Sequence, residues 1–153
     1  MKITFVGHGS LIISDDIKKG IFEAIKQNIS QTEKTLFLCG GYGDFDNICA
    51  KTCHDLKNDF SNIEVIFVTP YITEAQQRKI KDLLASKLYD DTIYPPIEKT
   101  PPRYAIIKRN EWMINEADLI IAYVKFSYGG AYKALNYAQK KGKRIINLAN
   151  ENI

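Results

Sequence analysis

Three glycine clusters are the parts of this sequence best suited to chemistry: Gly7-His8-Gly9-Ser10, Cys39-Gly40-Gly41-Tyr42-Gly43-Asp44-Phe45-Asp46, and Tyr128-Gly129-Gly130. Each follows a β-like apolar run and precedes a helical pattern. A glycine-rich turn in that place brings free backbone N–H groups to the positive end of a helix, where a phosphate or carboxylate can be held. One such loop could be no more than a tight turn. The second cluster, with Gly40, Gly41 and Gly43 at close range, exceeds what a turn requires. Asp46 could reach a ribose hydroxyl from the first turn of the next helix, or serve there as an acid that complements the helix dipole.

Several common chemistries are missing. After Gly7-His8-Gly9 the third glycine of a dinucleotide fingerprint is replaced by Ile12, and no acid ends the second strand. No GxxxxGK[ST] run is present, so this is not a P-loop NTPase. His8 and His54 are the only histidines, and no Ser/His/Asp arrangement can be drawn; His8, in the first glycine loop, is the better placed of the two. Cys49, Cys53 and His54 could be sketched as metal ligands, but adjacent helical residues point about 100° apart. Buried, reduced thiols at Cys39, Cys49 and Cys53 are the expectation, with no metal and no cofactor.

These loops need a scaffold, and the pattern supplies one. Strand-like runs fall at 2–6, 35–38, 64–68, 92–96, 118–124 and 143–148. Between them, Ile17, Ile21, Ala24, Ile25 and Ile29 recur at helical spacing behind Ser14 as a cap, and Phe45, Ile48, Cys49, Thr52, Cys53 and Leu56 form a second stripe. Helices are also expected over 73–88 and 103–117. After a loop at 125–130, a last helix is marked by Ala131, Ala134, Leu135 and Ala138. Alternation of strand and helix predicts an α/β fold, a Rossmann-like three-layer α/β/α arrangement around a mainly parallel sheet. In such a sheet, ligands bind beyond the carboxyl ends of the strands, where all three glycine clusters fall.

A length of 153 residues fits a single domain spanning 1–153. Lysine and arginine total 21 against 18 aspartate and glutamate, a net charge of +3. That balance is too mild for a basic nucleic-acid stripe, so nucleic acid is not expected as a partner. The run Lys140, Lys141, Lys143, Arg144 reads as a solvated helix end. The longest apolar runs are too short to span a bilayer and no cleavable leader follows Met1, so no membrane and a cytoplasmic location are expected.

The segment 40–46, followed by Ala50, resembles the SGGARGID segment of the SLOG superfamily. That group unites DNA-processing DprA/Smf proteins with LOG-type phosphoribohydrolases and includes small bacterial YpsA/YoqJ-like proteins, the branch to which this chain looks most similar. Arg109-Asn110-Glu111-Trp112-Met113, then Ala117-Asp118-Leu119-Ile120-Ile121-Ala122, then Gly129-Gly130-Ala131-Tyr132 are similar in order to the superfamily's arginine-bearing helix, AD strand and glycine loop. The resemblance implies a nucleotide-binding domain. In LOG-type enzymes an arginine, matched by Arg109, acts with a glutamate; Lys133 or Ala134 stands roughly where that acid belongs.

Two readings follow. The first is a sensor or carrier of a nucleotide-like small molecule, bound by Gly7, His8, Gly9, Gly40, Gly41, Tyr42, Gly43, Asp44, Asp46, Arg109, Tyr128, Gly129, Gly130 and Lys133. Arg109 and Lys133 suit a phosphate as fork and point charge. The second is hydrolysis or transfer at an N-glycosidic bond, with Arg109 and Asp46 as the catalytic pair and Asp44 as the other candidate acid. Such a bond-breaking step builds oxocarbenium character that a carboxylate stabilises. Related domains pair through helices flanking the site, so a homodimer is expected.

Overall fold

The carboxyl ends of six parallel strands lie along one edge of the protein. The computed structural model describes residues 1–150. The strands are β1 (Lys2–Gly7), β2 (Thr35–Cys39), β3 (Ile63–Val68), β4 (Asp91–Ile93), β5 (Leu119–Tyr123) and β6 (Arg144–Asn147), in the order β4-β3-β2-β1-β5-β6. The helices are α1 (Asp15–Gln27), α2 (Asp44–Leu56), α3 (Glu74–Ala85), α4 (Ala105–Glu116) and α5 (Gly129–Lys140). This is the Rossmann-like three-layer arrangement expected from the alternating pattern. The chain runs outward from β1 to β4, then returns to pair β5 with β1 on the other side. The direction of winding therefore reverses between β1 and β5, and a crevice opens at that switch point.

The period of two along each strand sorts side chains between two layers. Ile3, Phe5, Phe37, Val65, Phe67, Leu119 and Ile121 pack with buried residues of α1 and α2, including Ile21, Ile25, Phe45, Cys49 and Cys53. On the opposite face, Val6, Ile120 and Ala122 pack with Ile114 of α4 and with Leu135 and Ala138 of α5. The three cysteines are free and buried as expected, and burial pushes their thiols up, so none is a ready nucleophile. Ser14 caps α1 by accepting from the Ile17 amide at 3.3 Å.

Several boundaries differ from the sequence expectation; α3, for one, ends at Ala85 instead of residue 88. β4 ends at Ile93 instead of reaching residue 96, because Pro95 and Pro96 have no N–H to extend the ladder. Helix α5 begins at Gly129, not beyond residue 130. Gly129 and Gly130 thus form the helix N-terminus itself, and the N-cap residue Tyr128 contributes no side-chain cap.

Candidate functional site

A cavity of about 150 Å³ opens at the carboxyl end of β1, walled by Thr4 to Gly7, Tyr42, Asp46, residues of α4 including Arg109 and Asn110, and Gly130, Ala131 and Ala134 of α5. Its volume fits a phosphate or a ribose, whereas whole drug-sized ligands fill roughly 300–1,000 Å³.

Arg109 lies at its base, 1% exposed. Its Nη1 donates to the carbonyls of Gly40 at 2.9 Å and Val68 at 2.6 Å, the ends of β2 and β3. Its Nε donates to Asn110 Oδ1 at 2.9 Å. Nη2 has no acceptor among the described residues. The arginine is therefore two things at once: a tie between α4 and the strand ends, and a cation with one free edge. The Tyr42 ring lies 5.3 Å from its guanidinium and also 5.3 Å from Lys79 Nζ.

Asp46 faces Arg109 across Gly40. A Cβ built on Gly40 would stand 3.1 Å from Arg109 Nη2 and 3.2 Å from Asp46 Oδ2, so only glycine leaves both groups undisturbed. Burial pushes the Asp46 carboxyl up to about 7, against the opposing pull of Arg109 and the Tyr42 amide. Burial likewise lowers Arg109 from its ordinary value. Asp44 has a different occupation: its Oδ2 accepts from the Leu11 amide at 2.9 Å and its own amide donates to Gly9 O at 2.9 Å, fastening the first glycine loop to α2. Of the two candidate acids, Asp46 alone lines the cavity.

The glycines divide in the same way. A Cβ at Gly7 would overlap Phe45, meeting its Cβ at 2.7 Å, and one at Gly43, where φ is +90°, would stand 2.6 Å from Gly9 Cα. Packing between the loops demands glycine at both. A Cβ at Gly9, Gly129 or Gly130 would meet nothing within 4 Å. Gly130 faces the cavity, so its openness leaves room for a ligand instead of accommodating a neighbour.

Other candidate residues lie around this centre. Tyr128 is 70% exposed and stacks on Phe126, with ring centroids 5.5 Å apart. His8 accepts the amides of Lys125 and Phe126 across the switch-point crevice. Lys133 is not among the residues walling this cavity; it lines an adjoining, larger groove of about 460 Å³ between α4 and α5, which shares Ile106, Asn110, Ile114, Gly130 and Ala134 with it. Thr4, Asn110, Lys79 and Phe126 were not singled out by sequence reasoning. Nothing in periodicity marks a loop aromatic such as Phe126, while Asn110 follows Arg109 directly and could have been found as its partner.

A parallel Rossmann-like sheet whose edge carries glycine loops and a buried arginine defines this as an α/β domain of the Rossmann-like class. Its fold is that of the SLOG/DprA-like Rossmann proteins. DNA processing protein A from Streptococcus pneumoniae superimposes with a TM-score of 0.62 at 15% identity, covering 94% of this chain and 48% of that one. The Helicobacter pylori protein of the same name does so with a TM-score of 0.56 at 17% identity, covering 95% and 63%. The chain thus spans about half of one neighbour and under two thirds of the other. An uncharacterized SPbeta prophage-derived protein of Bacillus subtilis (strain 168), YoqJ, is 26% identical over 140 residues, 81% of each chain. No protein-family model matches the chain.

One expectation is corrected here. The mild net charge set nucleic acid aside as a partner, yet the Helicobacter pylori neighbour is described by its single-stranded DNA binding mode. Net charge averages over the whole surface, whereas single strands are gripped by local stacking rings and a few cations. A value of +3 therefore carries no argument against nucleic acid for this fold. Among the described residues no helix is long and apolar enough to cross a membrane.

Proposed function

We propose that this protein binds a nucleotide or nucleotide-derived ligand, with its phosphate in the cavity between β1, α4 and α5. The observation that carries this reading is Arg109: a cation 1% exposed, with Nη2 lacking an acceptor beside an open cavity. A cation this little exposed gains most from a charged partner, and an anion at Nη2 would supply one. The uncapped N-terminus of α5 supplies N–H groups at the same cavity. Tyr42 and Tyr128, both exposed, offer rings to a base.

A second reading has its own support. Phe126 and Tyr128 form a stacked, exposed pair next to Lys125, the combination that holds single-stranded nucleic acid. In that case the cavity takes a strand's terminal phosphate.

A thermal-shift panel of AMP, ADP-ribose, NAD and a short oligothymidylate tests both. A ligand at 100 times its dissociation constant adds about 2.7 kcal/mol, an expected rise of several degrees. Stabilisation by mononucleotides supports the first reading, and stabilisation by the oligonucleotide alone supports the second. No shift from any of the four refutes the pocket. Free base in the AMP sample would turn the reading into N-glycosidic hydrolysis, with Asp46 as the acid.

The α4–α5 groove, with Ile107 52% exposed, supports pairing of two copies along these helices. Sedimentation is expected to give a dimer at micromolar concentration, and Ile107→Glu a monomer; a wild-type monomer contradicts the pairing.

A further inference from the structure

The crevice between β1 and β5 is the place where an open parallel sheet admits a ligand. Here a single side chain ties its two lips together. His8, just past β1, receives through Nε2 the amide hydrogens of Lys125 at 2.9 Å and Phe126 at 3.3 Å. An imidazole nitrogen that accepts carries no proton, so the bonds assign the neutral ring with its hydrogen on Nδ1. The ring also packs on Phe126, with centroids 5.0 Å apart, and Phe126 stacks on Tyr128, the N-cap of α5.

Little else holds this loop. Asn147 brackets Val124, its Oδ1 accepting from the Val124 amide and its Nδ2 donating to the Val124 carbonyl, both at 3.1 Å. Those bonds fix the end of the strand. Among the described residues, no side chain other than His8 bonds residues 125–128. The geometry points to His8 as the positioning residue of the β5–α5 loop: its neutral ring latches the crevice, and a proton on Nε2 turns the acceptor into a donor and releases Lys125 to Tyr128. That the loop faces a ligand rests on the reading above; the latch does not.

The charged groups at the facing ends of the surrounding elements are Lys125 on the loop, Asp44 and the buried Asp46 in the first turn of α2, Lys133 in the first turn of α5, and Asp15 and Asp16 opening α1. Asp44 is engaged by the Leu11 amide, and His8 forms no ion pair among the described residues. Burial lowers its pKa from the ordinary value of 6.5, and the two accepted amides favour the neutral ring in the same direction. Release is therefore expected on the acidic side of 6.5.

Amide hydrogen exchange of the peptide covering Lys125 and Phe126, corrected for intrinsic rates, tests the latch without any ligand. Protection in the wild type is expected to fall by up to about ten-fold per pH unit below the His8 pKa. His8→Ala should lack that protection at pH 7.5 and at pH 5. His8→Gln, whose carbonyl accepts but does not titrate, should keep it at both. Equal wild-type protection at the two pH values, or a ring protonated on Nε2 in the neutral state by nitrogen NMR, overturns the proposal. AMP affinity measured alongside separates the two readings: a loop that opens with pH while AMP never binds leaves the latch standing and removes the nucleotide.

Discussion

Replacing Arg109 with alanine is expected to cost about 3–5 kcal/mol of folding stability, the size of effect seen when one partner of a buried charged network is removed. The side chain is almost wholly buried and joins three elements: α4 carries it, and its Nη1 satisfies the Gly40 carbonyl just past β2 and the Val68 carbonyl that ends β3. Alanine would strand both carbonyls, each orphaned group costing roughly 1–3 kcal/mol, and would enlarge the cavity behind them. Arg109→Lys separates geometry from charge. A lysine restores the cation but not the planar fork, so it should recover about half of the loss while still failing to present a second donor to a bound anion. Urea unfolding gives the numbers, provided the slope with denaturant stays constant across the variants. A cost below about 1 kcal/mol for the alanine variant would place this residue among ordinary surface substitutions, and the arginine tie would have to be abandoned.

That double employment of Arg109 is what the sequence could not express. The alternation of apolar runs was enough for the layers, because strand and helix periods are local properties. Strand order is not local: it depends on which side β5 joins, and no residue pattern encodes that. The glycine clusters were legible as a set, but not their separate reasons. Gly43 is glycine because Gly9 lies against it, whereas Gly130 is free of neighbours, and only tertiary contact tells the two apart. Asp44 and Asp46 stand two residues apart and so point about 200° from each other on a helix; one of them had to face away from the cavity, yet their spacing could not say which. Lys133, read with Arg109 as a phosphate-holding pair, lines the adjoining α4–α5 groove and not the wall around Arg109 itself. His8 was recognised by its loop, but its partners are backbone amides more than a hundred residues away, and backbone amides leave no mark in a sequence.

Asp46→Asn is expected to stabilise the protein at pH 8 by roughly 1–3 kcal/mol and to leave it unchanged at pH 4. Burial pushes this carboxyl up to about 7 in the folded protein, whereas an unfolded aspartate titrates near about 3.9. Between those values the folded state keeps a proton that the unfolded chain has given up, so stability falls as pH rises. The contribution is complete below about pH 4 and gone above about pH 7, the reverse of a salt-bridged aspartate. Three units would amount to about 4 kcal/mol; water in the open cavity screens part of it, hence the smaller figure. Asparagine never charges and escapes the loss. On the proposed function, the same carboxyl would couple to the ligand. An anion beside Arg109 Nη2 adds negative charge next to Asp46, so binding draws a proton onto it. Sulfate, whose own charge is constant across this range, should therefore bind the wild type about ten-fold more weakly at pH 8 than at pH 6, while the Asn variant shows little slope. Identical slopes in the two proteins would mean that the anion does not sit opposite Asp46, and the cavity beside Arg109 would lose its claim to the phosphate.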